Sequence, residues 1–195
     1  MSKKFSDLGI QPELILGLND LQIVIPTEIQ EKTIPVVLNQ TDDFVGLAKT
    51  GTGKTAAFGL PLLQMVDITS ADIQTLILAP TRELGQQIFN NLESYAAHFK
   101  DVSIASICGG VPIKPQIERL KENTHIVVAT PGRLIDLIQR GQIDIKKTKN
   151  FVLDVADEMV TSLKEGLDKI VTVLPKDKRT FLFTATMPGT IKQLI

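Results

Sequence analysis

The chain has 195 residues, 43% of them hydrophobic, which suits one domain with a sizeable core. Its formal net charge of −1 excludes recruitment of nucleic acid by a global field, so any such partner must be held by a local patch. A single cysteine, Cys108, excludes an internal disulfide, and no apolar run of signal-peptide or membrane-spanning length follows the amino terminus, so a reducing, cytoplasmic setting, no membrane contact and a monomer are expected.

Residues 1–40 read as a mostly helical lead-in within the same domain, and 41–195 as its α/β body. Short apolar runs rich in β-branched residues recur at Asp43–Ala48, Thr75–Ala79, Val102–Cys108, His125–Ala129, Asn150–Asp154 and Thr180–Thr184, each followed by turn chemistry and a helical stretch. Such alternation predicts a parallel α/β sheet. Because the runs are nearly all apolar, helices should cover both faces of that central sheet. In an open sheet of this kind the ligand crevice lies at the carboxyl ends of the strands, where each helix begins. Thr130-Pro131 places a hydroxyl at an N-cap and proline at the first helical position, and Met187-Pro188 predicts a similar start for a last helix. The chain stops at Ile195 within that helical stretch, as a piece of a longer protein would.

After the first core strand comes Ala48-Lys49-Thr50-Gly51-Thr52-Gly53-Lys54-Thr55, the spacing of a phosphate-binding loop. Its glycines let backbone N–H groups curl around an anion, Lys54 reaches the β- and γ-phosphates, and the Thr55 hydroxyl suits Mg²⁺. The alternative is an ordinary glycine-rich strand-to-helix turn. Further on, the run ending at Asp154 delivers a carboxylate to a strand end, and the next residue is Val155.

Seven segments in order resemble the first RecA-like domain of the DEAD-box ATP-dependent RNA helicases. Ile25-Pro-Thr-Glu-Ile-Gln30 is similar to the adenine-reading Q motif, with Phe5 at the place of its isolated aromatic residue. Gln22 and Ile23 stand where the family usually has glycine and an aromatic. Gln30 can offer a donor and an acceptor to adenine's Hoogsteen edge, which implies ATP over GTP. The same residues also suit a surface glutamine on an amphipathic helix. The Ala-x-Thr-Gly-x-Gly-Lys-Thr loop is a helicase variant of the Walker pattern. Pro80-Thr81-Arg82-Glu83-Leu84, Gly109-Gly110 and Thr130-Pro131-Gly132-Arg133 look like the motifs along the RNA path. They supply glycines, hydroxyls, helix N-termini and cations for a sugar–phosphate backbone, with nothing that reads base edges. Taken singly, each is also a plain strand-to-helix junction, and Arg82 and Glu83 also suit internal ion pairs. Thr184-Ala185-Thr186 occupies the place of the Ser-Ala-Thr motif that couples hydrolysis to unwinding.

Asp154-Val155-Ala156-Asp157 stands where the family has Asp-Glu-Ala-Asp. The resemblance implies that Asp154 holds Mg²⁺ with Thr55, that Asp157 serves coupling, and that the catalytic glutamate is missing. Val155 cannot accept a proton, and general-base assistance is worth about 10²–10⁴ in rate. The expectation is an ATP-binding lobe with weak or absent hydrolysis, facing RNA and a second RecA-like domain that lies outside this chain. A non-hydrolysing ATP-dependent RNA clamp and an unrelated P-loop NTPase remain as alternatives.

Overall fold

The computed structural model describes residues 3–49 and 51–186. Thr50 of the phosphate loop, the expected helix start at Met187-Pro188 and the end at Ile195 lie outside the described residues.

A 3-10 turn at Phe5–Leu8 leads into α1 (Pro12–Asp20) and α2 (Glu28–Asn39). Strands and helices then alternate as β1 (Phe44–Leu47), α3 (Lys54–Gln64), β2 (Thr75–Leu78), α4 (Arg82–Tyr95), β3 (Ile104–Ile107), α5 (Ile113–Leu120), β4 (Ile126–Ala129) and α6 (Pro131–Gln139). The order finishes with β5 (Asn150–Asp154), α7 (Ala156–Ser162), α8 (Lys164–Val173) and β6 (Arg179–Thr184). All six strands are parallel, in the order β1-β6-β5-β2-β4-β3.

Each predicted run coincides with one strand, and β6 begins one residue before its run, at Arg179. The run from Val102 is shortened at its start because Ser103 turns to His125, donating its N–H to Nδ1 at 3.0 Å and accepting from the N–H groups of His125 and Ile126.

Side chains of a strand alternate between faces, so a two-sided core needs apolar residues at every position. Ile77, Val128, Val152, Phe181 and Phe183 point to one face and pack with Leu14, Leu18, Ile34, Phe58 and Leu92 of α1 to α4. Leu76, Val127, Phe151, Leu153 and Leu182 point to the other and pack with Leu134, Leu137, Met159, Leu167 and Ile170 of α6 to α8, with α5 at the margin. The lead-in helices therefore share a core with α3 and α4. Among the described residues no helix is long and apolar enough to cross a membrane.

Candidate functional site

The non-sequential strand order sorts the motifs into two adjacent groups along the carboxyl edge of the sheet. β1, β5 and β6 carry the phosphate loop, Asp154 to Asp157, and Thr184 to Thr186; β2, β3 and β4 carry Pro80 to Leu84, Gly109-Gly110 and Thr130 to Arg133.

In the first group the loop leaves β1 at Ala48 and enters α3 at Lys54. Gly51 and Gly53 adopt φ of +82° and +92°, the left-handed region that a side chain resists. Gly53 has a second reason, since a Cβ there would lie 2.4 Å from Nε2 of Gln30. Lys49 and Thr52 are exposed, and the Thr52 hydroxyl closes the turn by donating to the Lys49 carbonyl at 2.8 Å.

Lys54 extends from α3 to Asp154 at the end of β5, with Nζ 3.3 Å from Oδ1. Both side chains are largely buried, 7% and 8% exposed. Burial pushes the Asp154 carboxyl up, and the Lys54 ammonium draws it only part of the way back. Oδ1 makes no hydrogen bond. Lys54, Thr55 and Asp154 line a cleft of about 240 Å³ together with Gly51, Gly53 and Gln30. Among the described residues no three metal-ligating side chains cluster. A cation here would depend on phosphate oxygens and water as well as protein, which is how magnesium is held, and a buried aspartate oxygen without a hydrogen bond fits it.

The start of α2, with its N-cap Thr27, is tied directly to this loop. Gln30 is 3% exposed; its Oε1 accepts from the Thr27 N–H at 2.9 Å and its Nε2 donates to the Gly53 carbonyl at 3.0 Å. Thr27 adds a hydrogen bond from its hydroxyl to the Thr52 carbonyl at 2.9 Å. One N–H and one lone pair of the Gln30 amide remain for a base. Ile25 is 64% exposed next to it. Phe5 is 2% exposed within the apolar core and does not line the cleft.

Val155 is the residue entering α7, at φ +58° and ψ +52°. A β-branched side chain in that region is an outlier. Asp157, in the first turn of α7, accepts through Oδ2 from the Thr186 hydroxyl at 2.9 Å. Thr184 donates to the Thr186 carbonyl at 2.6 Å, which fixes the turn through Ala185. Burial of the Asp157 carboxyl acts upward, but hydrogen bonds led by Thr186 outweigh it and leave the group below the usual carboxylate range.

In the second group the two expected cations are already engaged. Arg82 donates to the Gly110 carbonyl at 3.0 Å, with no carboxylate partner among the described residues. Arg133 donates through Nη1 to Gln116 Oε1 at 2.8 Å and through Nη2 to the Val111 carbonyl at 2.9 Å. Gln116 in turn donates to the Cys108 carbonyl at 2.9 Å. Thr81 caps α4 by accepting from the Leu84 N–H at 3.3 Å. Thr130 occupies the N-cap position of α6 with Pro131 next, yet its hydroxyl does not cap the helix; it accepts from the Gly109 N–H at 3.2 Å, because β3 and β4 are neighbours. Pro80 is half-buried beside Thr81, and Gly132 is exposed at the start of α6.

Gln116 was not singled out by its sequence context, nor were Gln87 and Asn91, which stand one helical turn apart on α4 and line the same cleft as Lys54 and Asp154. The only available signal was a pair of amides at i, i+4, a pattern that solvated helix faces also produce.

The sequence model described as DEAD/DEAH box helicase matches residues 27–194. The chain is 42% identical over 192 residues to the DEAD-box ATP-dependent RNA helicase CshA of Streptococcus pneumoniae, covering 98% of this chain and 36% of that protein. It is 41% identical over 191 residues to the ATP-dependent RNA helicase DeaD of Escherichia coli, covering 97% of this chain and 30% of the relative. It thus spans about a third of the length of these curated relatives. Among solved structures, a DEAD box protein from the hyperthermophile Methanococcus jannaschii superposes over the whole chain, and over 53% of its own, with a TM-score of 0.91 at 41% identity. Saccharomyces cerevisiae Dbp5 bound to RNA and ADP BeF3 matches 99% of the chain and 49% of its own, with a TM-score of 0.86 at 32% identity. The architecture is that of the RecA-like domains in these neighbours.

Proposed function

The chain belongs to the DEAD/DEAH box helicase family, and on that premise we propose that it is the ATP-binding lobe of an RNA helicase in which hydrolysis is strongly reduced. One observation carries the reading: the phosphate-loop lysine and the strand-end aspartate meet at 3.3 Å, and the adjoining residue is a valine.

Backbone N–H groups of the glycine loop and the N-terminus of α3 bind the triphosphate. Lys54 exchanges its contact with Asp154 for phosphate oxygens, and Gln30 offers its remaining donor and acceptor to adenine. Thr55 and Asp154 would hold magnesium, which when bound neutralises phosphate charge. Val155 occupies the position from which a glutamate would orient and deprotonate water, and a hydrocarbon does neither. Thr184 to Thr186, clasped to Asp157, relay the state of the nucleotide to the RNA path. RNA lies across β2, β3 and β4, bound through backbone contacts largely independent of base sequence, and a second RecA-like domain supplies the remaining groups for unwinding.

The test is competition against a fluorescent ATP analogue with magnesium, with and without single-stranded RNA. ATP displacing the analogue far better than GTP is the expected result; equal displacement by GTP, or no binding, sinks the reading. Val155 also favours a second reading, a clamp whose bound RNA persists while ATP stays intact. That reading requires the RNA complex to outlast many turnover times of an active relative.

A further inference from the structure

A basic groove lies at the opposite pole from the motifs. This groove, of about 580 Å³, opens at the amino ends of β2, β5 and β6, whose first residues, Thr75, Asn150 and Arg179, all line it. The strands themselves separate it from the carboxyl edge by about 13–20 Å. It therefore belongs neither to the nucleotide cleft nor to the candidate RNA path, and it goes beyond the function proposed above.

Five cations line the groove, Lys146, Lys147, Lys149, Lys178 and Arg179, against one carboxylate, Asp177. In a chain of net charge −1 this is a concentration of positive charge that global composition hides. Two of the five are committed: Lys147 pairs with Asp72 at 3.1 Å, and Arg179 donates to the carbonyls of Val37 and Asp42. Among the described residues Lys146, Lys149 and Lys178 have no ion-pair partner. Thr148 lies between two of them, 1% exposed, with a hydroxyl that makes no hydrogen bond. One wall is apolar, formed by Met65, Val66 and Pro175, and Met65 is 39% exposed.

We infer that this groove is a docking site for an acidic polypeptide segment that carries an apolar side chain between its carboxylates. Carboxylates match the free lysines, and an apolar side chain covers the Met65 and Pro175 wall. A nucleic acid strand is the poorer match, because a sugar–phosphate backbone has no apolar side chain to cover the Met65, Val66 and Pro175 wall.

The experiment uses the whole chain and a short fluorescent peptide alternating glutamate and leucine, followed by anisotropy. The parent binds it, more weakly as salt rises, and the doubly reversed Lys146→Glu/Lys149→Glu binds about tenfold more weakly, as expected for two partly exposed charges. A peptide with serine for leucine also binds less well. Binding of the ATP analogue is unchanged in that variant, which separates this site from the nucleotide reading. Circular dichroism reports whether the variant folds, and Lys178→Glu, on a different segment, is the second variant. The inference is overturned if both variants bind the peptide as the parent does, or if the parent binds single-stranded RNA through these lysines and not the peptide.

Discussion

Gln30 of α2 donates to the carbonyl of Gly53, so the side chain proposed to read the base also holds the loop proposed to hold the phosphates. The contact is tight enough that a Cβ at Gly53 would meet Gln30 Nε2 at 2.4 Å. Base recognition and phosphate geometry are thereby mechanically linked before any ligand arrives.

Replacing Gln30 with Glu keeps the acceptor for Thr27 but sets a carboxylate oxygen against the Gly53 carbonyl. A buried acceptor facing an acceptor costs about 1–3 kcal/mol. The variant should melt lower in thermal unfolding and bind the ATP analogue at least tenfold more weakly, with its preference over GTP reduced. An unchanged melting temperature would show that the link to Gly53 carries no energy.

Restoring glutamate at position 155 should raise RNA-stimulated phosphate release about 10²–10⁴-fold when the chain is joined to the second lobe of a DEAD-box relative. Nucleotide affinity should change little, since the loop and Asp154 are untouched. Equal rates for parent and Val155→Glu in single-turnover assays would remove the proposed cause of inactivity.

The left-handed backbone at Val155 has its own consequence. A side chain there costs about 1–2 kcal/mol, more for a β-branched residue, and glycine avoids it. Val155→Gly should therefore stabilise the fold by about 1 kcal/mol in urea unfolding without restoring hydrolysis. Destabilisation instead would mean that packing of the half-buried valine outweighs the backbone term.

Asp157 provides a pH signature. Its carboxyl titrates below the ordinary value of 3.8: burial pushes it up, and the hydrogen bonds led by the Thr186 hydroxyl together outweigh that push. A group with a depressed folded value stabilises the fold fully above the unfolded value and loses that contribution as pH falls through the folded one. The stability advantage of the parent over Asp157→Asn should be constant near neutrality and close on acidification below 3.8. Asp154, pushed up chiefly by burial, acts in the opposite sense and is present in both proteins, differing only by the upward push that the Asp157 charge adds. Thr186→Val should shrink the closing step; a step of the same size in that variant would assign it to another group.

Gln116→Leu removes the acceptor of Arg133 Nη1 and the donor to Cys108. The expected cost is about 1–3 kcal/mol in unfolding, for polar groups left without partners. RNA affinity should fall as well, since Arg133 loses its fixed position while its charge is retained. Unaltered RNA binding with the loss in stability intact would make Gln116 a purely structural residue.

Much of this was legible along the chain. Six apolar runs marked six strands, and their lack of alternation marked a sheet buried on both sides. The motifs could be read because each is a short segment whose spacing is itself chemical: glycines around an anion, a hydroxyl before a proline, an aspartate at a strand end. Phe5 and Thr130 were harder. An isolated aromatic does not reveal whether it points to a ligand or into a core, and a hydroxyl beside a helix start has a competing donor only when a neighbouring strand brings one, as β3 brings the Gly109 N–H. Arg133 read as a cation for phosphate, and Arg82 as that or half of an internal ion pair, because their carbonyl partners are 22 and 28 residues away in sequence.

What the amino-acid order alone determined is the kind of chemistry present at each position, above all that a hydrocarbon stands at 155, because a side chain's functional group is a local property. Which groups meet was decided by the strand order β1-β6-β5-β2-β4-β3, which brings Asp154 to Lys54 and gathers Thr75, Asn150 and Arg179 at one basic groove. Periodicity records which face of an element is buried, whereas neighbour choice depends on long-range backbone pairing and packing, and no local pattern encodes that.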